Sequence, residues 1–374
     1  MPEVKKILHI FPESMFIDDF FAFMEKYYPN IVHDFIVTDF GGRGEATKIK
    51  EERYKQFNIE HISTFNPKDI PALSRRLRRS GTYDNIIFHS LYMNYLLIAL
   101  LINKKAVCRA TSIMWGIQDA GPFIVPPTKR NIMTVTFGWF YEKLRRLVIP
   151  RFRCIGTVIE SEYERIKPLY NLKGVYKECK YTRRRPEVAE HSERKKSEYV
   201  NVQAGHAGHK LTNTVEALEI LEKFKDENIR VYCPLSYGDE VYIDEVIKKG
   251  KEIFGRKFYP ITKQMSQDKY ERLLSYMDVY VHNATGQVGL GNIDINVALK
   301  NKIYMDDEGV VYNDYSVMQG YNVNKISDIK DQSFEEFVYF SPEDAEENKQ
   351  KSNNLLDDDN FKRIWDNILL DYAP

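Results

Sequence analysis

The chain of 374 residues exceeds one core of ordinary size and suffices for two domains that each bury their own. Its 54 basic and 54 acidic side chains, with 43% apolar and 29% charged content, are those of a globular protein and exclude long disorder or a nucleic-acid-binding tail. The neutral total hides a polarised molecule: residues 1–186 hold 31 Lys/Arg against 19 Asp/Glu, and the remainder is acidic by the same margin.

The opening MPEVKKILHIF runs directly into a strand-like stretch with neither the apolar core nor the cleavage site of a signal peptide, so a cytoplasmic location is expected. Strands are predicted over 6–11, 34–39, 58–62, 85–89, 112–115 and 154–159, with helices over 17–27, 68–79, 91–103, 140–147 and 160–169. The longest apolar run, 86–102, is interrupted by His89, Ser90 and Asn94 and falls short of the roughly 20 residues of a membrane span. The charged, proline-containing stretch 180–197 reads as a linker. Beyond it, strands are predicted over 199–204, 230–234, 258–261, 279–282 and 303–305, and helices over 212–224, 239–254, 267–277 and 292–299. The acids Asp357, Asp358 and Asp359 precede a last amphipathic segment, where carboxylates favour a helix N-terminus. Cys108, Cys154, Cys179 and Cys233 form no C-x-x-C pair, which argues against a zinc ribbon and against a disulfide framework.

Apolar runs alternating with amphipathic helices predict α/β domains with parallel sheets. The expected division is 1–185 and 186–374, two Rossmann-like doubly wound domains facing a central cleft, with the last helix packing back on the first. Such sheets bind ligands at the carboxyl ends of their strands. Periplasmic binding proteins, sugar-nucleotide epimerases and two-domain glycosyltransferases share the plan, and fold alone does not separate them.

Three loops at predicted strand ends carry chemistry. Ala204-Gly205-His206-Ala207-Gly208-His209 and Gln287-Val288-Gly289-Leu290-Gly291-Asn292 each lie between a strand and a helix, where glycines admit a phosphate to backbone N–H groups and the helix N-terminus adds positive potential. Plain strand-to-helix turns use glycines in the same way. Neither loop is G-x-G-x-x-G or a P-loop, so neither a nicotinamide cofactor nor ATP is indicated. Between them, Tyr237 and Tyr242 are candidates for stacking on a base or bonding a phosphate, against packing as the plainer role of a tyrosine. In the first half, His89 and Asp119 end or follow strands, where either would take a proton from an acceptor hydroxyl or simply serve as a hydrogen-bonded core residue. Basic residues interleave with apolar ones at Arg75–Arg79 and Lys143–Arg153, a pattern suited to an anionic membrane leaflet. No nucleic-acid module accompanies them, and no metal site is expected.

At these residues the sequence resembles the bacterial TDP-4-acetamido-4,6-dideoxygalactose:lipid II transferases, the N-acetylfucosaminyltransferases of enterobacterial common antigen synthesis. Ile86-Ile87-Phe88-His89 is similar to the family's F-F-F-H-G, with Ser90 where its glycine stands, and Trp115-Gly116 to its W-G-A-D, with the acid one residue later at Asp119. Gly205 and Gly208 match the glycines of its G-N-S-G-D. The run 231–246, with Pro234, Tyr237, Tyr242 and Ile243 in step, resembles its V-V-V-P-M-G-Y…Y-I-E-E-V, and 287–291 its Q-Q-G-I-G. The resemblance implies a GT-B fold and a cofactor-free, metal-independent glycosyltransferase. Its donor, a TDP- or UDP-linked sugar, would meet Gly205, His206, Gly208, Tyr237, Tyr242, Gly289, Leu290, Gly291 and Asn292. It further implies an undecaprenyl diphosphate-linked or other glycan acceptor, His89 or Asp119 as base, and a peripheral position on the inner membrane's cytoplasmic face. A non-hydrolysing sugar-nucleotide epimerase and a non-catalytic membrane-surface scaffold remain the alternatives.

Overall fold

A computed structural model describes residues 4–14, 16–38, 55–62, 67–91, 95–116, 119, 132–182 and 198–370. The chain forms two compact units, residues 1–183 with 357–374, and residues 184–356.

The first unit comprises β1 (Lys6–Pro12), α1 (Ile17–Tyr27), β2 (Val32–Thr38), β3 (Asn58–Ile62), α2 (Ile70–Arg78), β4 (Asn85–His89), α3 (Leu96–Ile102), α4 (Lys104–Val107), β5 (Thr111–Met114), α5 (Ile132–Val148), β6 (Cys154–Thr157), α6 (Glu160–Tyr170) and β7 (Val175–Glu178). Its seven strands are parallel, in the order β3-β2-β1-β4-β5-β6-β7. A parallel sheet covered on both faces calls for strands apolar on both sides; accordingly Ile7, Leu8, Ile10 and Phe11 of β1 are all fully buried.

The second unit runs β8 (Val200–Ala204), α7 (Thr214–Leu221), β9 (Ile229–Pro234), α8 (Glu240–Phe254), β10 (Phe258–Ile261), α9 (Gln267–Leu274), β11 (Val279–His282), α10 (Leu290–Ala298), β12 (Lys302–Met305), α11 (Val310–Tyr312), β13 (Asn324–Lys325), α12 (Phe334–Val338) and α13 (Pro342–Leu355). Its six parallel strands are ordered β10-β9-β8-β11-β12-β13. Val202, Ala204, Val231, Val279 and Val281 share a core with Leu218 and Leu221 of α7 and Val246 of α8. Because strand side chains alternate, Gln203, Tyr280 and His282 turn to the opposite face. In both units the strand order reverses between the first strand and the fourth, β1/β4 and β8/β11, the position where open α/β sheets open a crevice for ligands.

α14 (Asp358–Leu369) belongs to the first unit. Its Phe361, Ile364, Trp365, Ile368 and Leu369 are buried, the i, i+3, i+4, i+7, i+8 stripe of a core-facing helix. The Asp357 side chain accepts from Asp359 N (2.9 Å), so that acid caps the helix.

Three expectations change. α5 starts at Ile132 rather than at 140, because Gly138 and the Thr and Val residues before it weaken the helix signal. The short edge strands β7 and β13 lack an apolar run and were absent from the predicted set. The start of the expected linker is packed: Tyr181 is buried, and Lys180 O accepts from Trp365 Nε1 at 2.9 Å. Residues 183–197 lie outside the described residues.

Candidate functional site

Both glycine loops of the second unit emerge at its β8/β11 reversal. Gly205 follows β8 with φ +69°, and a Cβ there would lie 2.3 Å from Thr214 Oγ1, so neither backbone nor space admits a side chain. Gly289 is the N-cap of α10 with φ +71°. A Cβ on it would stand 2.6 Å from both Nδ1 and Cε1 of His206. The ring of His206 fills the space over Gly289, so the two loops are one packed unit.

The N–H groups expected at a phosphate divide accordingly. Gly205 N donates to Val281 O (3.1 Å) and Gly208 N to Tyr237 O (2.9 Å), so both are spent on the sheet and its β9 loop. Gly289, Leu290 and Gly291 stand at the α10 N-terminus, where the first N–H groups have no intrahelical acceptor. They leave three donors and the positive end of a nine-residue helix.

The side chains around them are buried and partly unsatisfied. His206 stacks on His282 at 5.6 Å with an interplanar angle of 9°. His282 Nε2 donates to Val288 O at 2.9 Å, which makes Nδ1 its lone-pair nitrogen. That Nδ1, His206 Nδ1 and Gln287 Oε1 are buried without a hydrogen-bond partner. Such atoms cost free energy unless a ligand or an ordered water meets them. Burial, then the neighbouring His282 and His209, holds His206 down to about 3; burial holds His282 down to about 4. Both rings are therefore neutral, and the positive potential here comes from the helix.

Tyr237, 51% exposed, stands edge-on to His209 with 5.7 Å between ring centroids. Tyr242 is a correction: its hydroxyl accepts from Thr214 N (2.8 Å) and Val215 N (3.3 Å), capping α7, and the side chain is buried. Asn292 is another. Its Oδ1 accepts from Gln203 Nε2 (3.1 Å) and Tyr270 Oη, which turns the side chain toward the sheet.

In the first unit His89 ends β4, fully buried. Its Nδ1 lies 2.6 Å from Tyr181 Oη and its Nε2 3.0 Å from His9 Nδ1; His9 Nε2 lies 2.9 Å from His33 Nδ1. Trp115 Nε1, which is donor only, donates to Tyr181 Oη at 3.0 Å. Tyr181, His89, His9 and His33 thus form one hydrogen-bonded chain, and in either tautomeric direction both nitrogens of His89 and of His9 are used within it. Burial lowers His9 and His89 well below the usual imidazole value and His33 to about 4. With both nitrogens engaged, His89 has no lone pair for an acceptor hydroxyl in this arrangement.

Asp119, also fully buried, accepts from Ser90 Oγ (2.6 Å), Leu91 N (3.0 Å) and Trp115 N (2.6 Å). It ties the ends of β4 and β5 together. Burial raises its pKa while the bonds from Ser90 and Trp115 resist. Ser90 has φ +69°, the left-handed region that glycine tolerates best; its hydroxyl offsets part of that strain by holding Asp119. Sequence reasoning missed His9, His33, Tyr181 and His282, and only the adjacency of strands distant in the chain brings them together. Of the basic clusters, Arg145 is buried, Arg76 Nε pairs with Glu60 (2.9 Å) and Arg153 bonds Asn85 Oδ1 (3.1 Å), so several of these charges serve the fold.

Among the described residues no group of three or more His, Cys, Asp or Glu is arranged to hold a metal. No helix among them is long and apolar enough to cross a membrane.

No curated protein matches the sequence. Among solved structures, the fold is similar to an α,α-trehalose-phosphate synthase (UDP-forming) from Burkholderia vietnamiensis (TM-score 0.63, 7% identity, 98% of this chain and 99% of that one). It is also similar to Anabaena Alr3699/HepE in complex with UDP and glucose (TM-score 0.63, 10% identity, 97% and 99%), and to the lipopolysaccharide outer core galactosyltransferase WaaB (TM-score 0.63, 9% identity, 97% and 100%). These likenesses establish the GT-B fold. Residues 30–319 match the family described as 4-alpha-L-fucosyltransferase, glycosyl transferase group 56, and the chain belongs to that family of glycosyltransferases.

Proposed function

We propose that the protein transfers a deoxyamino sugar, such as N-acetylfucosamine, from a TDP- or UDP-linked donor to an undecaprenyl diphosphate-linked glycan during bacterial surface polysaccharide synthesis. The second unit binds the donor, and the first takes the acceptor at the cytoplasmic face of the inner membrane. The observation that carries the donor half is the α10 N-terminus. Three backbone N–H groups stand at the β8/β11 reversal beside the unsatisfied His206, His282 and Gln287.

The chemistry suits a diphosphate sugar. Phosphate oxygens are acceptors and take the amides of Gly289, Leu290 and Gly291. His282 Nδ1 and Gln287 Oε1 are acceptors and take hydroxyl or amide donors of the sugar, directly or through water. As the glycosidic bond to the donor breaks, charge builds on the leaving diphosphate, and fixed amide dipoles stabilise it without a divalent cation. Tyr237, half exposed beyond the end of β9, is the candidate for stacking on the base. His89 and Asp119 act by holding the ends of β4 and β5 and the Trp115 ring in place.

A thermal-shift screen against TDP, UDP, GDP and ADP, with and without EDTA, tests this, because a ligand of the native state raises the melting temperature. A rise with TDP or UDP that survives EDTA is expected. No rise with any of the four counts against a donor site, and a rise abolished by EDTA counts against the metal-free mechanism. Conversion of the nucleotide sugar without acceptor would identify an epimerase instead.

A further inference from the structure

α5 is apolar on two faces. One face, with Tyr141, Leu144 and Val148, is buried in the first unit's core. A surface helix ordinarily turns charged and polar residues to the other side. The outward face of α5 instead carries Trp139, Phe140 and Leu147, exposed by 60%, 48% and 51%, aligned with Lys143 at the three- and four-residue spacing of one helix face. Lys143 Nζ sits 3.7 Å over the Trp139 ring. Arg146 lies beside them and donates to the carbonyl of Leu169 at 2.8 Å, itself a partly exposed apolar residue. The helix has one carboxylate, Glu142, and it is engaged by Arg146 at 3.0 Å and Tyr170 Oη at 3.1 Å. Glu142 thus offsets Arg146, and the helix holds no further acid to offset Lys143.

The composition of this face selects its occupant. A protein partner or a second copy would bury the ridge, and lysine is depleted from the cores of such interfaces; here Lys143 stands in its middle. Tryptophan and phenylalanine flanked by lysine and arginine are what a helix lying in a lipid headgroup layer presents, rings at the headgroup level and cations against the phosphates. Anionic lipid supplies the complementary charge.

We infer that the outward face of α5 is a membrane-contact surface: Trp139, Phe140 and Leu147 enter the headgroup layer of an anionic leaflet, and Lys143 and Arg146 meet its phosphates. The inference deepens the lipid-linked-acceptor reading and rests on it for its purpose, while its geometry stands apart from the donor site.

The test is flotation of the full chain with phosphatidylcholine vesicles, with and without phosphatidylglycerol. Trp139 is the exposed one of three tryptophans, so its emission reports the contact. Expected are co-flotation only with the anionic vesicles, weakened by salt, and a blue shift of emission on binding. Trp139→Ser with Phe140→Ser should lower the bound fraction by about tenfold or more, Lys143→Glu should lower it in anionic vesicles, and Trp139→Phe should float while losing the blue shift. These are solvent-facing substitutions, and an unchanged UDP or TDP thermal shift in each variant shows that the fold and donor site are intact. No anionic-vesicle binding, or binding equal in the double-serine variant, overturns the inference. So does self-association that the double-serine variant abolishes, because it means that protein covers this face. Failure on vesicles with an intact nucleotide shift removes the α5 surface alone; a missing nucleotide shift removes the donor reading alone.

Discussion

His206 and Gly289 are 83 positions apart in the sequence, yet each explains the other. The ring occupies the place of a Cβ on Gly289, and the positive φ of Gly289 starts the helix whose amides face the proposed diphosphate. Overpacking of this kind costs about 1–3 kcal/mol. Gly289→Ala is therefore expected to lower stability by about that much and to weaken the UDP or TDP thermal shift, whereas His206→Ala leaves room for the added methyl. Residues in contact couple by ~0.5–3 kcal/mol, so the double variant should be more stable than the sum of the two singles predicts. Strict additivity in denaturant titrations would show that the ring and the glycine are independent. At the same scale, His89 and Asp119 show why residue type and strand-end position are poor guides to a base. Both are titratable and both sit at the reversal of the first sheet, yet every lone pair on His89 is used and Asp119 is committed to three donors.

At the scale of elements, α14 shows how a segment far along the chain completes the first unit. Trp365 is fully buried, 4.8 Å from Phe20 between ring centroids and stacked at 6.0 Å on His89. Tyr28 Oη donates to Asp366 Oδ1 at 3.0 Å and Asn85 Nδ2 to Ile368 O at 3.1 Å. Removing a buried indole costs about 3–5 kcal/mol, so Trp365→Ala should lower the free energy of unfolding by that order in urea titrations. A loss below about 1 kcal/mol would show that α14 is not part of the first unit's cooperative core. The helix itself was legible, because its apolar residues recur at helical spacing behind a run of aspartates. Which sheet it joins was not readable from that spacing, since a stripe names a buried face and not what buries it. α5 gives the complementary case. Its glycine and β-branched start hid eight residues of helix, and only the whole helix reveals that Trp139 and Phe140 stand on the side away from the core.

Among the described residues five histidines, His9, His33, His89, His206 and His282, are buried, and burial holds all five below the ordinary value, His33 and His282 at about 4 and His206 at about 3. In the unfolded chain each titrates near ~6.5. Between about pH 6.5 and 4 the unfolded state therefore binds more protons than the native state, and stability falls as pH drops through that window. The slope approaches ~1.4 kcal/mol per pH unit for each histidine kept neutral; the contribution is complete above about pH 6.5. Urea midpoints measured from pH 7.5 to 4.5 should drop steeply on the acid side, and His33→Gln should make the drop shallower. A flat profile across that window would mean that these rings protonate without unfolding the protein.

The sequence by itself determined the class of the fold, two parallel α/β layers, because apolar strand runs and helix periodicity are local properties. It also determined the glycine loops that bear the proposed donor chemistry, since motif and spacing survive in the residues themselves. Which amides stay open, which tyrosine caps a helix, and that four residues from β1, β2, β4 and 181 form one hydrogen-bonded chain were decided only by tertiary structure. Those facts depend on strand order and on which lone pairs are already occupied, and both arise from contacts between residues tens of positions apart.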